Sequence, residues 1–256
     1  MEMVLEAKGI KKVYGTRGNV FTAIQDMDLQ IARGEFVGIM GPSGSGKSTL
    51  LNILSTIDTP SAGTVKINQQ NILKMKESAL AILRRDQLGF IFQDYNLLDT
   101  LTIKENISLP LALANVNPAD IEERIKRVSE IFGIGRILDQ YPHEISGGQQ
   151  QRTATARAII TNPSLVFADE PTGALDSKSA YNLLQTLAKL NEQEKATILM
   201  VTHDAYAASF CSRVMFIKDG AIFTELRKGD QKREPFFHRI IDILTTLGGG
   251  GQHVVI

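Results

Sequence analysis

Short apolar and β-branched runs recur along the chain at Phe36 to Met40, Leu88 to Phe92, Leu165 to Ala168, Ile198 to Val201 and Val214 to Ile217. Helix-like segments separate most of them, a pattern that predicts an α/β fold around a mostly parallel sheet. Val4 to Tyr14 and Val20 to Ile31 instead read as consecutive strands joined by a Gly-containing turn, so an antiparallel β piece should precede the core. From about Leu101 to Gln140 the pattern is largely helical. There Ile121, Ile125, Val128 and Phe132 recur at one-face spacing behind Asn117 as N-cap and Pro118 at the first helical position. The tail from Pro235 to Leu247 places Phe236, Phe237, Ile240, Ile241 and Leu244 on one side, and Gly248 to Gly251 should stop that helix. Packing back on the domain is expected of it, with a partner-binding helix as the sharper alternative.

Composition narrows the function classes. Lys plus Arg and Asp plus Glu both total 28, so no net field draws the molecule toward nucleic acid or anionic lipid. The greasiest stretch, Ile107 to Val116, is shorter than the roughly 20 residues of a membrane crossing and contains Pro110. The start of the chain shows no basic region followed by an apolar run and a small-residue cleavage site, which leads us to expect the cytosol. The single cysteine, Cys211, cannot form an internal disulfide and reads as a buried apolar residue.

Gly41-Pro42-Ser43-Gly44-Ser45-Gly46-Lys47-Ser48 fits the phosphate-cradle pattern G-x-x-x-x-G-K-[ST], and it stands between the strand Phe36 to Met40 and the helix-like run from Thr49 to Ser55. Glycines let backbone amides turn inward around phosphates, and the helix N-terminus adds partial positive charge. Lys47 is placed to reach the β and γ groups, and Ser48 to ligate Mg²⁺. A second strand, Leu165 to Ala168, ends in Asp169-Glu170. One carboxylate there can hold the metal and its neighbour can activate a water, which suits hydrolysis better than storage.

Ile145-Ser146-Gly147-Gly148-Gln149-Gln-Gln-Arg152 resembles the signature motif of ABC-type ATPases, usually written Leu-Ser-Gly-Gly-Gln. The resemblance runs from about Leu5 to Gly220 and implies ATP and Mg²⁺ as ligands. It implies that Ser146, Gly147, Gly148 and Gln149 cap the γ-phosphate held by a second copy of the chain, giving a head-to-tail dimer. Tyr14 resembles the aromatic residue that stacks on adenine. Gln93 looks like the Q-loop glutamine near the metal and the attacking water. Ala174-Leu175-Asp176 resembles the loop that crosses the dimer interface, and His203 looks like the switch histidine on the γ-phosphate. Catalysis would then fall to Glu170, His203, Gln93 and Lys47, and metal binding to Ser48, Gln93 and Asp169.

The same resemblance implies a P-loop ATPase core with an N-terminal antiparallel β subdomain and an inserted helical subdomain. The ATPase unit is expected over residues 1–235, its helical part at about 95–160, and a C-terminal helix with a Gly-rich tail over 236–256. A membrane permease is the implied partner, which would put the chain at the cytoplasmic face of a membrane. Its docking segment is expected at about Asp94 to Ala114, with Leu97 and Leu98 exposed. Asp94 to Thr102, Thr153 to Arg157 and the Phe236-Phe237 tail are similar to bacitracin-type peptide-resistance ATPases, which leaves open a sensor histidine kinase as a further partner. Lipoprotein release and envelope mechanotransmission are the alternatives with the same chemistry. A non-transport ABC ATPase is opposed by the single signature and by the short separation of Lys47 from Ser146.

Overall fold

Alternation of apolar residues builds the first layer. Leu5, Ala7 and Ile10 point inward from β1 (Met3–Tyr14), and Ile24, Met27, Leu29 and Ile31 from β2 (Phe21–Ala32). The structure, a computed structural model, describes residues 2–15 and 19–247. β1 and β2 pair antiparallel, as the sequence predicted.

All five residues of β3 (Phe36–Met40) are buried, the mark of a strand covered on both faces. Phe36 and Met40 enter one core and Val37 and Ile39 the other, the period-2 split expected of a central strand. The cradle follows, leading into α1 (Lys47–Leu54). A hairpin of β4 (Ala62–Ile67) and β5 (Gln70–Asn71) then extends the first sheet in the order β2-β1-β4-β5. Next come α2 (Glu77–Gln87), β6 (Leu88–Ile91), α3 (Ile103–Leu113), α4 (Pro118–Phe132) and α5 (Gly147–Ile159). Asn117 caps α4 by accepting from the Ala119 amide at 2.9 Å, with Pro118 at the first position, as anticipated. Ile107, Leu111, Ile125, Val128 and Phe132 form the shared core of α3 and α4.

β7 (Leu165–Asp169), α6 (Ser177–Glu194), β8 (Ile198–Val201), α7 (Ala205–Ala208), β9 (Arg213–Lys218), β10 (Ala221–Arg227) and α8 (Arg233–Leu247) complete the described chain. The second sheet runs β10-β9-β3-β8-β7-β6, parallel throughout except for β10. The carboxyl ends of β3, β7 and β8 therefore open on one edge, where α/β folds bind ligands.

α8 packs back on the domain. Phe236 and Ile240 are fully buried and Leu247 nearly so, while the Arg233 guanidinium lies over the rings of Phe210 (4.3 Å) and Tyr206 (4.9 Å). The inward face includes Leu247 rather than Ile241, which stays 39 % exposed because it sits a helical step of about 100° from Ile240. The expected stop at Gly248 to Gly251 lies outside the described residues. Cys211 is buried, and burial pushes its thiol far above the usual range. Among the described residues no helix is long and apolar enough to cross a membrane.

Candidate functional site

The loop between β3 and α1 curls around its own lysine. Gly46 caps α1 at φ 100°, and a Cβ there would stand 2.5 Å from the Ala23 carbonyl oxygen, so only glycine lets the loop approach β2 this closely. Lys47 Nζ donates to the carbonyls of Gly41 and Pro42, both at 2.9 Å. Burial lowers the Lys47 pKa, against the pull of Glu170 and Asp169. Ser45 Oγ is buried without a hydrogen-bond partner among the described residues. An orphaned hydroxyl, an ammonium holding only loop carbonyls and an open helix N-terminus together fit a phosphate chain.

β7 delivers Asp169 and Glu170 to the same edge. Burial, and then the neighbouring Glu170 charge, raise the Asp169 pKa, with Lys47 opposing. Glu170 occupies left-handed backbone at φ 45°, an arrangement that costs on the order of 1–3 kcal/mol and persists where the surroundings impose it. Its amide donates to Val201 O of β8 at 2.9 Å. His203, just past β8, approaches the Glu170 carboxylate with its ring: Nδ1 is 2.9 Å from Oε1. The ring remains 75 % exposed, whereas the Glu170 side chain is 17 % exposed.

Lys47, Ser48, Glu170 and His203 share one cavity of about 780 Å³, lined by Gly41 to Gly44, Gly46 to Thr49, Glu170 and His203; Ser45 and Asp169 are not part of its wall. Four further lining residues escaped the sequence reading: Phe21 and Ala23 at the start of β2, and Leu244 and Leu247 at the end of α8. Alternation in β1 and β2 could have placed Phe21 opposite Tyr14, its register partner. Nothing in the pattern brings α8 to the cradle. Lys218 fastens it there by donating to the Leu247 carbonyl at 3.3 Å.

Tyr14 does not line the cavity. Its hydroxyl donates to Asp58 Oδ2 at 2.8 Å, and the Lys12 ammonium lies 4.8 Å from its ring centre. Burial and the Asp58 hydrogen bond raise its pKa, although the ring is still 41 % exposed beside the cradle helix. Gln93 is exposed just past β6, and its side chain lies against Gly173.

Ser146, Gly147, Gly148, Gln149 and Asp176 are absent from the cavity wall of their own chain. Ser146 caps α5 in a reciprocal box: its hydroxyl accepts from the Gln149 amide, and Gln149 Oε1 accepts from the Ser146 amide at 2.8 Å. A Cβ on Gly148 would lie 2.7 Å from Ser179 Oγ, so glycine allows α5 to meet the start of α6. Asp176 caps α6 by accepting from the amides of Lys178 and Ser179, each at 3.0 Å, and the Ser179 hydroxyl lowers its pKa. The signature residues thus form a second helix N-terminus, away from the cradle cavity of their own chain.

For Mg²⁺, the donors at hand are the Ser48 hydroxyl and the Asp169 carboxylate, with Gln93 on the adjoining loop. Among the described residues no group of three or more His, Cys, Asp or Glu is placed to hold a metal ion.

Residues 24–173 match the family described as ABC transporter. The bacitracin export ATP-binding protein BceA of Halalkalibacterium halodurans is 55 % identical over 246 residues, 96 % of this chain and 97 % of that one. The ABC transporter ATP-binding protein YxdL of Bacillus subtilis is 50 % identical over 98 % of this chain and 97 % of its own. Among solved structures, the dimeric post-hydrolysis state of the ATP-binding cassette MJ0796 with ADP and Pi superposes at a TM-score of 0.80, with 39 % identity over 87 % of this chain and 98 % of that one. A family match over more than half of the sequence, joined to likeness along nearly full lengths, is decisive: this chain belongs to the ABC transporter family, as an ATP-hydrolysing subunit.

Proposed function

We propose that two copies of this chain close head-to-tail around two MgATP molecules and thereby drive a membrane permease in peptide-antibiotic resistance of the bacitracin type. One observation carries the reading: Lys47, Ser48, Glu170 and His203 converge on one cavity, while Ser146 to Gln149 stand on a separate helix end of the same chain. The reading is supported by the dimeric state named for the MJ0796 cassette and by the export function named for the bacitracin relative.

In this account the amides of residues 44 to 49 and Lys47 hold the phosphates, and Ser146 and Gly148 of the second copy complete the chamber. Phe21 lines the cavity and pairs in register with Tyr14, which stands outside its wall, so adenine would meet the Phe21 ring first. Mg²⁺, held by Ser48, Gln93 and Asp169, would neutralise charge on the phosphate oxygens. Glu170 accepts a proton from the attacking water as its oxygen bonds to the γ-phosphorus and the bond to the leaving ADP oxygen breaks. His203 fixes the Glu170 carboxylate and reaches toward the γ-phosphate. Asp176 crosses to the other copy beside the start of α6.

The ATPase unit spans residues 1–235, its helical part about 95–160, and α8 packs back on it with Leu244 and Leu247 at the cradle cavity. Permease docking falls to an apolar groove of about 490 Å³ whose lining includes Ile57, Phe90, Phe92, Leu109, Pro110 and Leu113. Leu113 is 61 % exposed at its edge. This refines the expected segment: Leu98 is exposed, but Leu97 is partly buried against the core. Occupancy of that groove would hold the subunit at the cytoplasmic face of the membrane. A sensor histidine kinase, if present, would meet the complex through the permease.

The enzymatic half is tested by diluting the purified subunit at saturating MgATP. Specific activity should fall with dilution as dimers separate, and an activity independent of concentration for a monomeric preparation would overturn the sandwich. The biological half is tested by deleting this chain from its native cells: unchanged sensitivity to bacitracin-like peptides would remove the cargo assignment alone.

A further inference from the structure

The helix that begins with the signature is latched to two loops of the catalytic edge by one side chain. Gln151, in the second turn of α5, is fully buried. Its amide Nε2 donates to the Pro171 carbonyl at 2.6 Å and to the Phe92 carbonyl at 3.3 Å. Pro171 directly follows Glu170, and Phe92 directly precedes Gln93. Gln151 Oε1 is buried with no partner among the described residues. Flipping the amide would face that oxygen toward two carbonyl oxygens and lose both donations, so the two loop carbonyls fix its orientation.

The fastening continues along α5. Arg157 donates to the Asn96 carbonyl at 2.7 Å and to the Tyr95 carbonyl at 3.0 Å, so the loop after Gln93 is held at a second point by the same helix. α5 and the Q-loop therefore share a rigid connection, and Gln151 alone extends it to the residue after Glu170.

We infer that Gln151 is a positioning residue that couples the two nucleotide sites of the dimer, through its paired hydrogen bonds to Phe92 and Pro171. This inference rests on the head-to-tail reading above. A subunit lends Ser146 and Gly148 to its partner's nucleotide while its own Gln93 and Glu170 act on the nucleotide in its own cradle. Docking of the signature fixes α5, and Gln151 passes that fixation to the backbone on either side of the subunit's own reacting groups. One site thus becomes competent when the other is filled. An apolar side chain of equal length would preserve packing and break the link, leaving each site to fire alone.

The test is the steady-state ATP dependence of hydrolysis by the full chain, with wild type, Gln151→Met and Gln151→Asn compared in parallel. Binding of a fluorescent ATP analogue at monomeric concentration and thermal melting serve as controls, because a merely structural role would move those. The wild type should show a Hill coefficient above 1, bounded by the number of sites. In the variants it should fall to about 1 and kcat roughly tenfold, with analogue binding and melting unchanged. Gln151→Asn keeps a neutral amide but falls one methylene short of both carbonyls, and it carries the decision should Gln151→Met melt early. A folded variant that retains the wild-type coefficient and kcat overturns the latch while leaving the sandwich standing. A wild-type coefficient of 1 with concentration-independent activity removes the sandwich and the latch together.

Discussion

His203 holds both oxygens of Glu170. Its ring Nδ1 lies 2.9 Å from Oε1, and its backbone amide donates to Oε2 at 3.4 Å. An ionised carboxylate can only accept, so Nδ1 carries the proton and Glu170 is oriented by a residue from the neighbouring strand end. Glu170→Gln keeps an oxygen for that contact but removes the base. Hydrolysis should fall by about 10²- to 10⁴-fold, the usual share of general-base catalysis. ATP binding should persist, and a closed dimer should accumulate on size exclusion; near-normal turnover would take Glu170 out of its role.

His203→Ala leaves the Glu170 backbone tied to Val201 and keeps the residue-203 amide on Oε2, but removes the ring contact to Oε1. We expect kcat to drop by roughly 10²-fold with ATP affinity changed less than about twofold, since the lost contact organises the reaction rather than the ground state. Parallel kinetic and equilibrium titrations measure this, and an equal loss in both would assign the histidine to binding instead.

Lys47→Ala should abolish nucleotide binding without unfolding the chain, because Lys47 Nζ bonds only to the Gly41 and Pro42 carbonyls of its own loop. Calorimetric titration with ATP should give no heat and the melting temperature should stay near that of the wild type. Chelating Mg²⁺ from the wild type should stop turnover.

A charge in the apolar groove separates docking from chemistry. Leu113→Glu should lose the co-purifying membrane protein while the isolated subunit's ATPase rate is kept, since Leu113 is exposed and lines the groove but not the cradle cavity. Undiminished recovery of the membrane protein would move the docking site elsewhere.

Cys211 gives the fold its own pH signature. Burial raises its thiol pKa in the folded chain, while the unfolded thiol ionises near pH 8.5. This contribution to stability is full below about pH 8.5 and declines as pH rises above it, because only the unfolded chain releases the proton. Thiol labelling should be negligible in the native protein at pH 9 and complete in denaturant; rapid native labelling would show that the site is open.

The core strands and the cradle were legible because their signals are local. Five buried residues in β3 followed by Gly-x-x-x-x-Gly-Lys-Ser leave one strand–loop–helix solution. The hairpin of β4 and β5 was not legible, since only Val65 and Ile67 of β4 are buried and the remaining residues are exposed. Periodicity also cannot see partners distant in sequence. Asp58 takes the Tyr14 hydroxyl from 44 residues away, and Lys218 draws the end of α8 to the cradle. Ile241 was misplaced on the inner face because five apolar positions in that helix span more than the stripe that packs.

The composite chamber is tested most directly by complementation between two inactive chains. Lys47→Ala spoils the cradle and Ser146→Arg spoils the signature, so each homodimer should be inactive. In a mixed dimer, the intact cradle of one chain faces the intact signature of the other, and mixing should restore hydrolysis at one of the two sites, at the roughly tenfold lower rate of a site that fires while its neighbour stays empty. Mixed dimers that form and remain inactive, or a Ser146→Arg chain that turns over ATP unaided, would contradict the claim that neither copy completes its own active site.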